Sequence, residues 1–434
     1  MIDGGCDGEK FTKRISGNFE RGTGSGTEPI SLAYAAAEGR RHLGCEPEKI
    51  VAKCSGNMIK NVRCVTIPNS GGLTGIETAC VLGAVAGDAD GKMEVLEHVD
   101  DAGRARAKEL LEKKICTVTF LDSEIPLHYI LELYAGEDTV VVEVRHSHTN
   151  IVSIIKNGTT IFEKPKEFAQ TGYMTDRSCL SIEAIKAFAD EVELDRIKDI
   201  YERQIRYNMD IAYEGISGDY GLGIGRVIRE SYADGVITRM KAYAAAASEA
   251  RMGGCDMPVI INSGSGNQGI ASSVPVIVYA REKNIPTEKL YRALAFSSLL
   301  TIYQKEFIGK LSAFCGAVSA SCASAAAITY LVGGSISQIK ATIDNTLANI
   351  PGIICDGAKI SCAAKIASSL DAAMMAHHLA MKNRKYEAYT GILKENAGET
   401  ISCVGYIGKV GMHQTDKEII KMMLDTQTEQ ENGK

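Results

Sequence analysis

The pattern of hydrophobic and polar positions divides the chain into three regions. A run of helix-forming residues, 30–44, follows Thr27 and Pro29, which are a capping residue and a first-turn proline. From about residue 49 to residue 155, short β-type runs alternate with helical stretches. After about Thr175 the strand pattern nearly disappears, and helical patterns fill most of the remainder. The sequence therefore predicts one early helix, a small α+β region and a large helical region.

The individual elements follow from the same periodicities. Strands are predicted at 50–52, 62–67, 115–120, 140–144 and 151–155. Helices are predicted at 76–86, 102–113, 181–188, 193–208, 238–251, 287–303, 315–332, 337–347 and 362–381.

The expected fold class is α+β, with a large, mostly α-helical catalytic domain and a smaller α+β domain near the N-terminal half. The early helix shares its small residues with the later helices, so residues 1–44 are expected to be the first part of the helical domain. Residues 45–170 then form the α+β domain, inserted in the helical domain or docked beside it. Residues 171–424 complete the helical domain, and 425–434 form a frayed polar tail.

The composition supports a folded protein with a core of small side chains. The 434 residues are 45% hydrophobic and 24% charged, which is ordinary for a globular protein and implies two or three domains. Aromatic residues make up only 6%, Trp is absent and Gly occurs 43 times. Helices that pack closely through Ala, Gly and Ser fit this composition.

Charge and hydropathy narrow the class of partner. The net charge is −6 and no long basic run occurs, so no nucleic acid partner is expected. The longest uncharged stretch, 311–339, is rich in Ser, Gly and Cys, which favours a buried helix over a membrane span. The first ten residues do not resemble a signal peptide. We therefore expect a cytoplasmic protein, with no membrane partner, whose thirteen cysteines are reduced by default.

A glycine-rich loop at 263–269 is the best candidate for binding a small anion. It follows the apolar run 258–261 and combines Ser263, Ser265, Asn267 and Gln268 with free backbone N–H groups, which can hold a carboxylate. The alternative is a flexible connector. The loop lacks the Lys-Ser/Thr ending of a P-loop, which argues against a nucleoside triphosphate.

Three cysteines could bind a metal centre, although buried small hydrophobic residues are the alternative interpretation. Cys355 lies in a predicted loop and Cys362 begins the next helix, where a helix N-terminus favours thiolates. Together with Cys315 they could hold an iron–sulfur cluster that leaves one iron open. Cys322 follows Cys315 by two helical turns, but its Ala and Ser neighbours favour packing.

His148 is a candidate proton acceptor. The segment His146-Ser147-His148 joins two predicted strands, so an imidazole should lie at the edge of the sheet. A solvated turn is the alternative. His377, His378 and His413 have weaker claims.

Six ordered motifs together resemble one family. They are GTEPISLA at 26–33, HTNI at 148–151, ARMGG at 250–254, NSGSGNQGI at 262–270, ICDGA at 354–358 and QTD at 414–416. The sequence from 26 to about 424 resembles the L-cysteine desulfidase family, which is related to the catalytic chain of iron–sulfur L-serine dehydratases.

The resemblance implies a [4Fe–4S] cluster held by Cys315, Cys355 and Cys362. It implies α,β-elimination from L-cysteine to pyruvate, ammonia and sulfide, with L-serine or another β-substituted amino acid as the alternative substrate. The small-molecule amino acid would be bound by a set of six residues: Thr27, Glu28, Ser263, Ser265, Asn267 and Gln268.

One position departs from the family pattern. A Cys that is the proposed base usually precedes Thr-Glu-Pro, and here that position is Gly26. His148 is then the first candidate for a catalytic base. Two further classes stay open: a non-catalytic cluster or amino-acid-binding relative, and a pyridoxal-phosphate lyase, for which no phosphate loop coupled to a Schiff-base lysine is found. A homo-oligomer also stays open.

Overall fold

The computed structural model describes residues 21–22, 27–165, 179–309 and 312–432, and side chains only as far as residue 424. The strands of the described chain are β1 Arg21–Gly22, β2 Lys49–Cys54, β3 Cys116–Phe120, β4 His128–Ala135, β5 Asp138–Arg145, β6 Ile151–Lys156, β7 Thr159–Glu163 and β8 Val259–Ile260.

The helices are α1 Thr27–Leu43, α2 Gly56–Val62, α3 Gly75–Ala86, α4 Asp101–Glu112, α5 Ile182–Glu191, α6 Lys198–Ser217, α7 Ile224–Ser231, α8 Val236–Met252, α9 Gly266–Glu282, α10 Thr287–Ile308, α11 Gly316–Leu331, α12 Ile336–Asn349, α13 Cys362–Met381, α14 Ala397–Tyr406 and α15 His413–Asn432. Shorter 3₁₀ turns lie at Ala89–Glu94 and Leu194–Arg196, and a π-helical turn lies at Ile407–Gly411.

The N-terminal half is built on a six-stranded sheet of order β3-β2-β4-β5-β6-β7. β2 and β3 are parallel, and the other neighbours are antiparallel. Alternate residues of β4, such as Tyr129, Leu131 and Leu133, are fully buried, which is the period of two expected of a strand with one covered face. Helices α1 and α3 pack against the sheet, and the buried side chains of the helices and the sheet form one hydrophobic core.

The remaining helices form a second core. It is made mainly of Ala, Ile, Leu and Val from α5, α6 and α8 to α14. Small residues allow close helix contacts here: an added Cβ at Gly215 of α6 would lie 2.2 Å from the carbonyl oxygen of Ala246 in α8. Helix α11 lies inside this core, as expected for the uncharged stretch, and no helix among the described residues is long and apolar enough to cross a membrane.

The α+β, mostly helical fold class is confirmed. Several elements differ from the sequence prediction. Residues 62–67 are not a strand, because Val62 ends α2 and the following residues form a turn with one bridge between Thr66 and Thr74. The strands β1, β4, β7 and β8 and the helices α2, α7, α9, α14 and α15 have no counterpart among the predicted elements. Helix α15 continues to Asn432 through the segment expected to be a frayed tail.

The early helix α1 packs differently from the expectation. Its buried residues, among them Ile30, Leu32 and Ala36, belong to the core beneath the sheet rather than to the helical core. The chain-level division into domains stays a prediction, but the physical reason for the difference is clear. A helix rich in Ala can approach either a sheet or another helix, so its composition does not select its partner.

Candidate active site

A cavity of about 100 Å³ is lined by residues from both halves of the chain. The N-terminal half contributes Thr27 and Glu28 at the start of α1, and Asn61 near the end of α2. The helical half contributes loops and helix ends that carry these further lining residues: Arg251, Ser263, Ser265, Asn267, Gln268, Lys305, Cys315, Cys355 and Cys362. The structure therefore brings nearly all of the residues expected from the sequence to one place.

Two short segments bring Cys315 and Cys355 side by side. Phe314 and Ile354 form an antiparallel bridge, the Cys315 N–H donates to the carbonyl of Ile353 at 2.8 Å, and the Cys355 N–H donates to that of Ala313 at 2.7 Å. Cys315 is the N-cap of α11. The two thiols thus approach each other because the backbones that carry them pair.

Cys362 completes the set of three free thiols. It is the first residue of α13, and its Sγ lies 3.9 Å from the carbonyl oxygen of Gly357 in the Cys355 loop. A hydrogen bond from the Cys315 thiol lowers the pKa of Cys355, against the opposing effect of burial, and Lys60 and Lys365 act in the same direction as the bond. The arrangement therefore favours a thiolate at Cys355.

Positive charge surrounds these thiols. Burial lowers the pKa of Lys305 to about 8, while Cys315 and Cys355 act in the opposite direction. Lys365 donates to the carbonyl of Ile354 at 2.9 Å and to Asp356 Oδ1 at 2.5 Å. Burial opposes ionisation of Asp356, but hydrogen bonds from Lys359 and Lys365 hold its pKa at about 2. Cationic groups beside the three thiols can offset the negative charge of several thiolates.

Thr27, Glu28 and His148 meet at the start of α1. Thr27 Oγ1 donates to the carbonyl of Gly264 at 2.8 Å, and His148 Nε2 lies 3.9 Å from Glu28 Oε1. Burial favours the neutral acid of Glu28, but the neighbouring His148 and Thr27 together hold its pKa below the usual value. His148 lies in the turn between β5 and β6, as predicted, and its Nε2 is buried with no hydrogen-bond partner among the described residues.

The 263–269 loop becomes the N-terminus of α9. Ser265 is the N-cap and accepts a bond from the Gln268 N–H at 3.4 Å. Asn267 Oδ1 accepts from Ser248 Oγ at 3.1 Å, whereas Gln268 Oε1 is buried with no partner in the described chain. Ser263 has a positive φ of 51° and donates to Asn262 Oδ1 at 2.8 Å. The loop is therefore an ordered turn whose polar groups face the cavity.

Sequence reasoning missed two buried cations of the cavity, Arg251 and Lys305, which are only 3% and 5% exposed. Arg251 lies at the end of α8 and Lys305 near the end of α10. Burial lowers the pKa of Arg251 to about 10, and Glu28 and Cys362 oppose this effect. Both residues sit in ordinary helical patterns, so the only sequence signal was the ARMGG motif that contains Arg251.

Other residues singled out from the sequence lie elsewhere. Cys322 is fully buried in the helical core, where burial raises its pKa to about 12. His377 is buried beside Thr329, and His413 lies 3.3 Å from Glu124. Gly26 is outside the described residues. Cys179 is disulfide-bonded, which departs from the expectation of reduced thiols.

The family model for the serine dehydratase alpha chain matches residues 90–421. The chain belongs to the serine dehydratase alpha chain family. Its relatives include proteins described as UPF0597 proteins, from Lachnoclostridium phytofermentans (45% identical, covering 92% of this chain and 95% of the relative) and Treponema denticola (46% identical, 92% and 94%). A relative from Vibrio campbellii is 38% identical, over 92% and 94%. The relation to serine dehydratases that the motifs indicated is confirmed.

Membership of the serine dehydratase family supports a lyase-type enzyme. The matched region includes the three thiols, Arg251 and the 263–269 loop, but not Thr27 or Glu28. The helical half of the cavity is thus the part that the family model covers.

Proposed function

We propose that the protein is an iron–sulfur-dependent lyase that converts L-cysteine to pyruvate, ammonia and sulfide, with L-serine or another β-substituted amino acid as the alternative substrate. The observation that carries the proposal is the convergence of Cys315, Cys355 and Cys362 on one cavity, which Arg251 and Lys305 also line, in a member of this family. A cytoplasmic location is part of the same proposal.

The residues present suit a [4Fe–4S] cluster by their chemistry. Soft thiolate ligands are those that iron–sulfur clusters require, and three of them leave one iron without a protein ligand. Lys60, Lys305 and Lys365 act electrostatically on these thiols. Among the described residues, no group of three or more His, Cys, Asp or Glu side chains is placed to hold a single metal ion, which is a different requirement from that of a cluster in which each thiolate binds its own iron.

When bound, the cluster would supply a Lewis acid for the departing β-substituent of the amino acid. The chain's own residues would bind and orient the substrate. The Ser263, Ser265 and Gln268 groups of the α9 N-terminus offer hydrogen bonds to an amino acid carboxylate. Thr27 joins this loop to α1 through its bond to Gly264.

His148 is the proposed proton acceptor. Loss of the Cα proton and cleavage of the C–S bond release hydrosulfide and leave aminoacrylate, which becomes pyruvate and ammonia on tautomerisation and hydrolysis. The Nε2 of His148 has no hydrogen-bond partner in the described chain, and an added Cβ at Gly264 would lie 3.5 Å from its Cε1, so the ring lies just behind the cavity loop. Such a base typically contributes about 10²–10⁴-fold to the rate.

Anaerobic purification tests the proposal. We expect a broad absorption at about 400 nm, bound iron and sulfide, and pyruvate formed from L-cysteine faster than from L-serine. Cys355→Ser should lose iron, whereas the matched control Cys322→Ser should keep it. A sharp pyridoxal band, or cluster loss in Cys322→Ser with retention in Cys355→Ser, would contradict the assignment. An intact cluster without turnover of either amino acid would favour a non-catalytic relative.

A further inference from the structure

Arg251 is a buried cation with no ion-pair partner among the residues that the structure describes. Its side chain lines the cavity and the residue is 3% exposed. Within the described part of the chain, its guanidinium makes one hydrogen bond, a long one of 3.4 Å from Nη1 to Asn267 Oδ1, and no carboxylate lies within 4 Å of it. Its Nε is buried and has no partner there. A guanidinium offers five donors, so most of its bonding capacity is unused.

An unpaired buried charge is costly, and proteins tolerate one mainly where a ligand supplies the opposite charge. A guanidinium matches a carboxylate through two parallel hydrogen bonds, and this geometry is specific for planar anions. The free donors of Arg251 therefore indicate a carboxylate ligand in the cavity.

The surrounding backbone holds the guanidinium in place. An added Cβ at Gly266, the first residue of α9, would lie 2.3 Å from Arg251 Nε and 2.7 Å from its Cζ. Only glycine at this position leaves room for the side chain. Asn267 follows immediately and accepts from Nη1, so the start of α9 positions the guanidinium rather than merely passing by it.

A carboxylate of opposite sign lies on the same cavity. Glu28 is partly buried at the start of α1, where His148 Nε2 lies 3.9 Å from its Oε1, and its pKa is below the usual value. It acts on Arg251 from beyond ion-pair distance. A cavity with separated positive and negative groups complements a ligand that carries both charges. An α-amino acid has this form, since it carries an ammonium and a carboxylate on one carbon.

We propose that Arg251 binds the α-carboxylate of the substrate and Glu28 its α-ammonium, with Gly266 and Asn267 positioning the guanidinium. The choice of an amino acid rests on the proposed function. The two charged residues then select free α-amino acids over their amides and over simple carboxylic acids, independently of the β-substituent that is eliminated.

Binding of unreactive probes tests this without turnover. L-Alanine carries both charges but has no leaving group, L-alaninamide lacks the carboxylate, and propionate lacks the ammonium. Calorimetric titration of the anaerobically purified protein should show L-alanine binding at least tenfold more tightly than either comparison probe. Equal affinity for L-alanine and L-alaninamide, or no binding of L-alanine, would overturn the inference.

Three variants separate the roles. Arg251→Gln should weaken L-alanine about tenfold to a hundredfold and abolish the preference over L-alaninamide, because the charge-assisted bonds are lost. Glu28→Gln should abolish the preference over propionate and keep that over L-alaninamide. Gly266→Ala retains every charged side chain but displaces the guanidinium, so it should imitate Arg251→Gln. Gly235→Ala, at the open start of the same helix α8, is the matched glycine control and should bind like the native protein.

The outcomes distinguish this inference from the proposed lyase activity. Arg251-dependent binding of L-alanine in a protein that makes no pyruvate would support the inference and contradict the activity. Pyruvate formation with an unchanged acid-over-amide preference in both Arg251→Gln and Gly266→Ala would support the lyase activity and contradict the inference. Loss of iron from Arg251→Gln with unaltered L-alanine binding would show that the cation serves the thiols, and would overturn the inference. Gly266→Ala decides the matter if Arg251→Gln does not fold.

Discussion

At the scale of single residues, the proposed elimination depends on which side chain accepts the substrate proton, because position 26 is a glycine. Related sequences are expected to carry a cysteine base where this chain has Gly26, and glycine has no proton acceptor. Thr27 and Glu28 retain the helix start beside the cavity. The proposed elimination therefore needs another proton acceptor, for which His148 is the candidate.

Gly26→Cys should raise pyruvate and sulfide production from L-cysteine, by as much as about 10²-fold, because a positioned base would be restored. The measurement is the kcat of anaerobic protein with equal iron content. His148→Ala should lower the native rate and have a smaller effect in the Gly26→Cys background. High native activity that neither change alters would show that a different group accepts the proton.

Asp344 gives a pH-dependent prediction remote from the cavity. Burial raises its pKa to about 6, and its Oδ1 has no hydrogen-bond partner in the described chain. Because the folded-state pKa is raised, this carboxyl favours folding below its unfolded value of about 4, and the contribution is lost as the pH rises through 6.

Asp344→Asn should therefore match the native protein at pH 4 and be more stable at pH 7, by up to about 3 kcal/mol. Urea unfolding at the two pH values measures this difference. Asp195→Asn, an exposed control, should change neither value by more than about 0.5 kcal/mol. A variant less stable at pH 7 would mean that the charged form has a stabilising partner.

At the scale of elements, the sequence predicted most of those with clear periodicity, but it missed α9, which local rules disfavour, and also β4, whose pattern was clear. Helix α9 begins with Gly266 and contains Pro275, which are both helix-breaking signals, yet its residues are held by burial on nearly every side. The strand β4 did alternate in its sequence, with Tyr129, Leu131 and Leu133 on one face, so this signal was available.

The residues of the candidate site were also predicted only where the sequence gives a clear signal. Cysteines, histidines and glycine-rich loops are rare enough to be noticed in a sequence. The residues expected at 27–28 and 263–268 do line one cavity with the three thiols, and His148 lies next to Glu28 outside this lining. Arg251 and Lys305 were missed because a cation in a helix is ordinarily solvent-exposed, and only the tertiary structure shows that these two are buried.

The last helix, α15, is held by an ion pair between its Asp416, which is partly buried, and a fully buried lysine. Lys60 of α2, whose side chain is 1% exposed, donates to Asp416 Oδ1 at 2.5 Å, and Asn57 donates to Oδ2 at 2.9 Å. The same turn of α2 supports the Cys355 loop, since an added Cβ at Gly357 would lie 2.1 Å from the carbonyl oxygen of Lys60. The C-terminal helix and the thiols therefore share one support.

Asp416→Ala should destabilise the protein by about 3–5 kcal/mol, because it leaves the Lys60 ammonium buried and unpaired. It should also lower the iron content after reconstitution. Denaturant unfolding and iron analysis measure the two effects. The exposed Glu418→Ala on the same helix is the control, and the double variant Lys60→Met with Asp416→Leu should recover most of the stability. A loss in Asp416→Ala no larger than in the control would show that the pair contributes little.

At the scale of the whole molecule, the cavity lies where the two cores meet. Thr27 bonds to Gly264 across this boundary, β1 pairs with β8, and α2 packs against α15. Each core contributes groups to the lining: the thiols and Arg251 come from the helical core, and Thr27, Glu28 and Asn61 from the sheet side. A ligand that fills the cavity would therefore contact both.

Ligand binding should consequently stabilise both halves together. A ligand at 100 times its Kd adds about 2.7 kcal/mol to the free energy of unfolding, and a ligand that bridges the cores should slow amide exchange in each. Hydrogen exchange with L-alanine should show protection at 27–31 and at 263–268, while the exposed edge strand β7 stays unchanged. L-Alaninamide at the same concentration serves as the control. Protection confined to 263–268 would mean that the amino acid is held by the helical core alone, and that Glu28 does not face it.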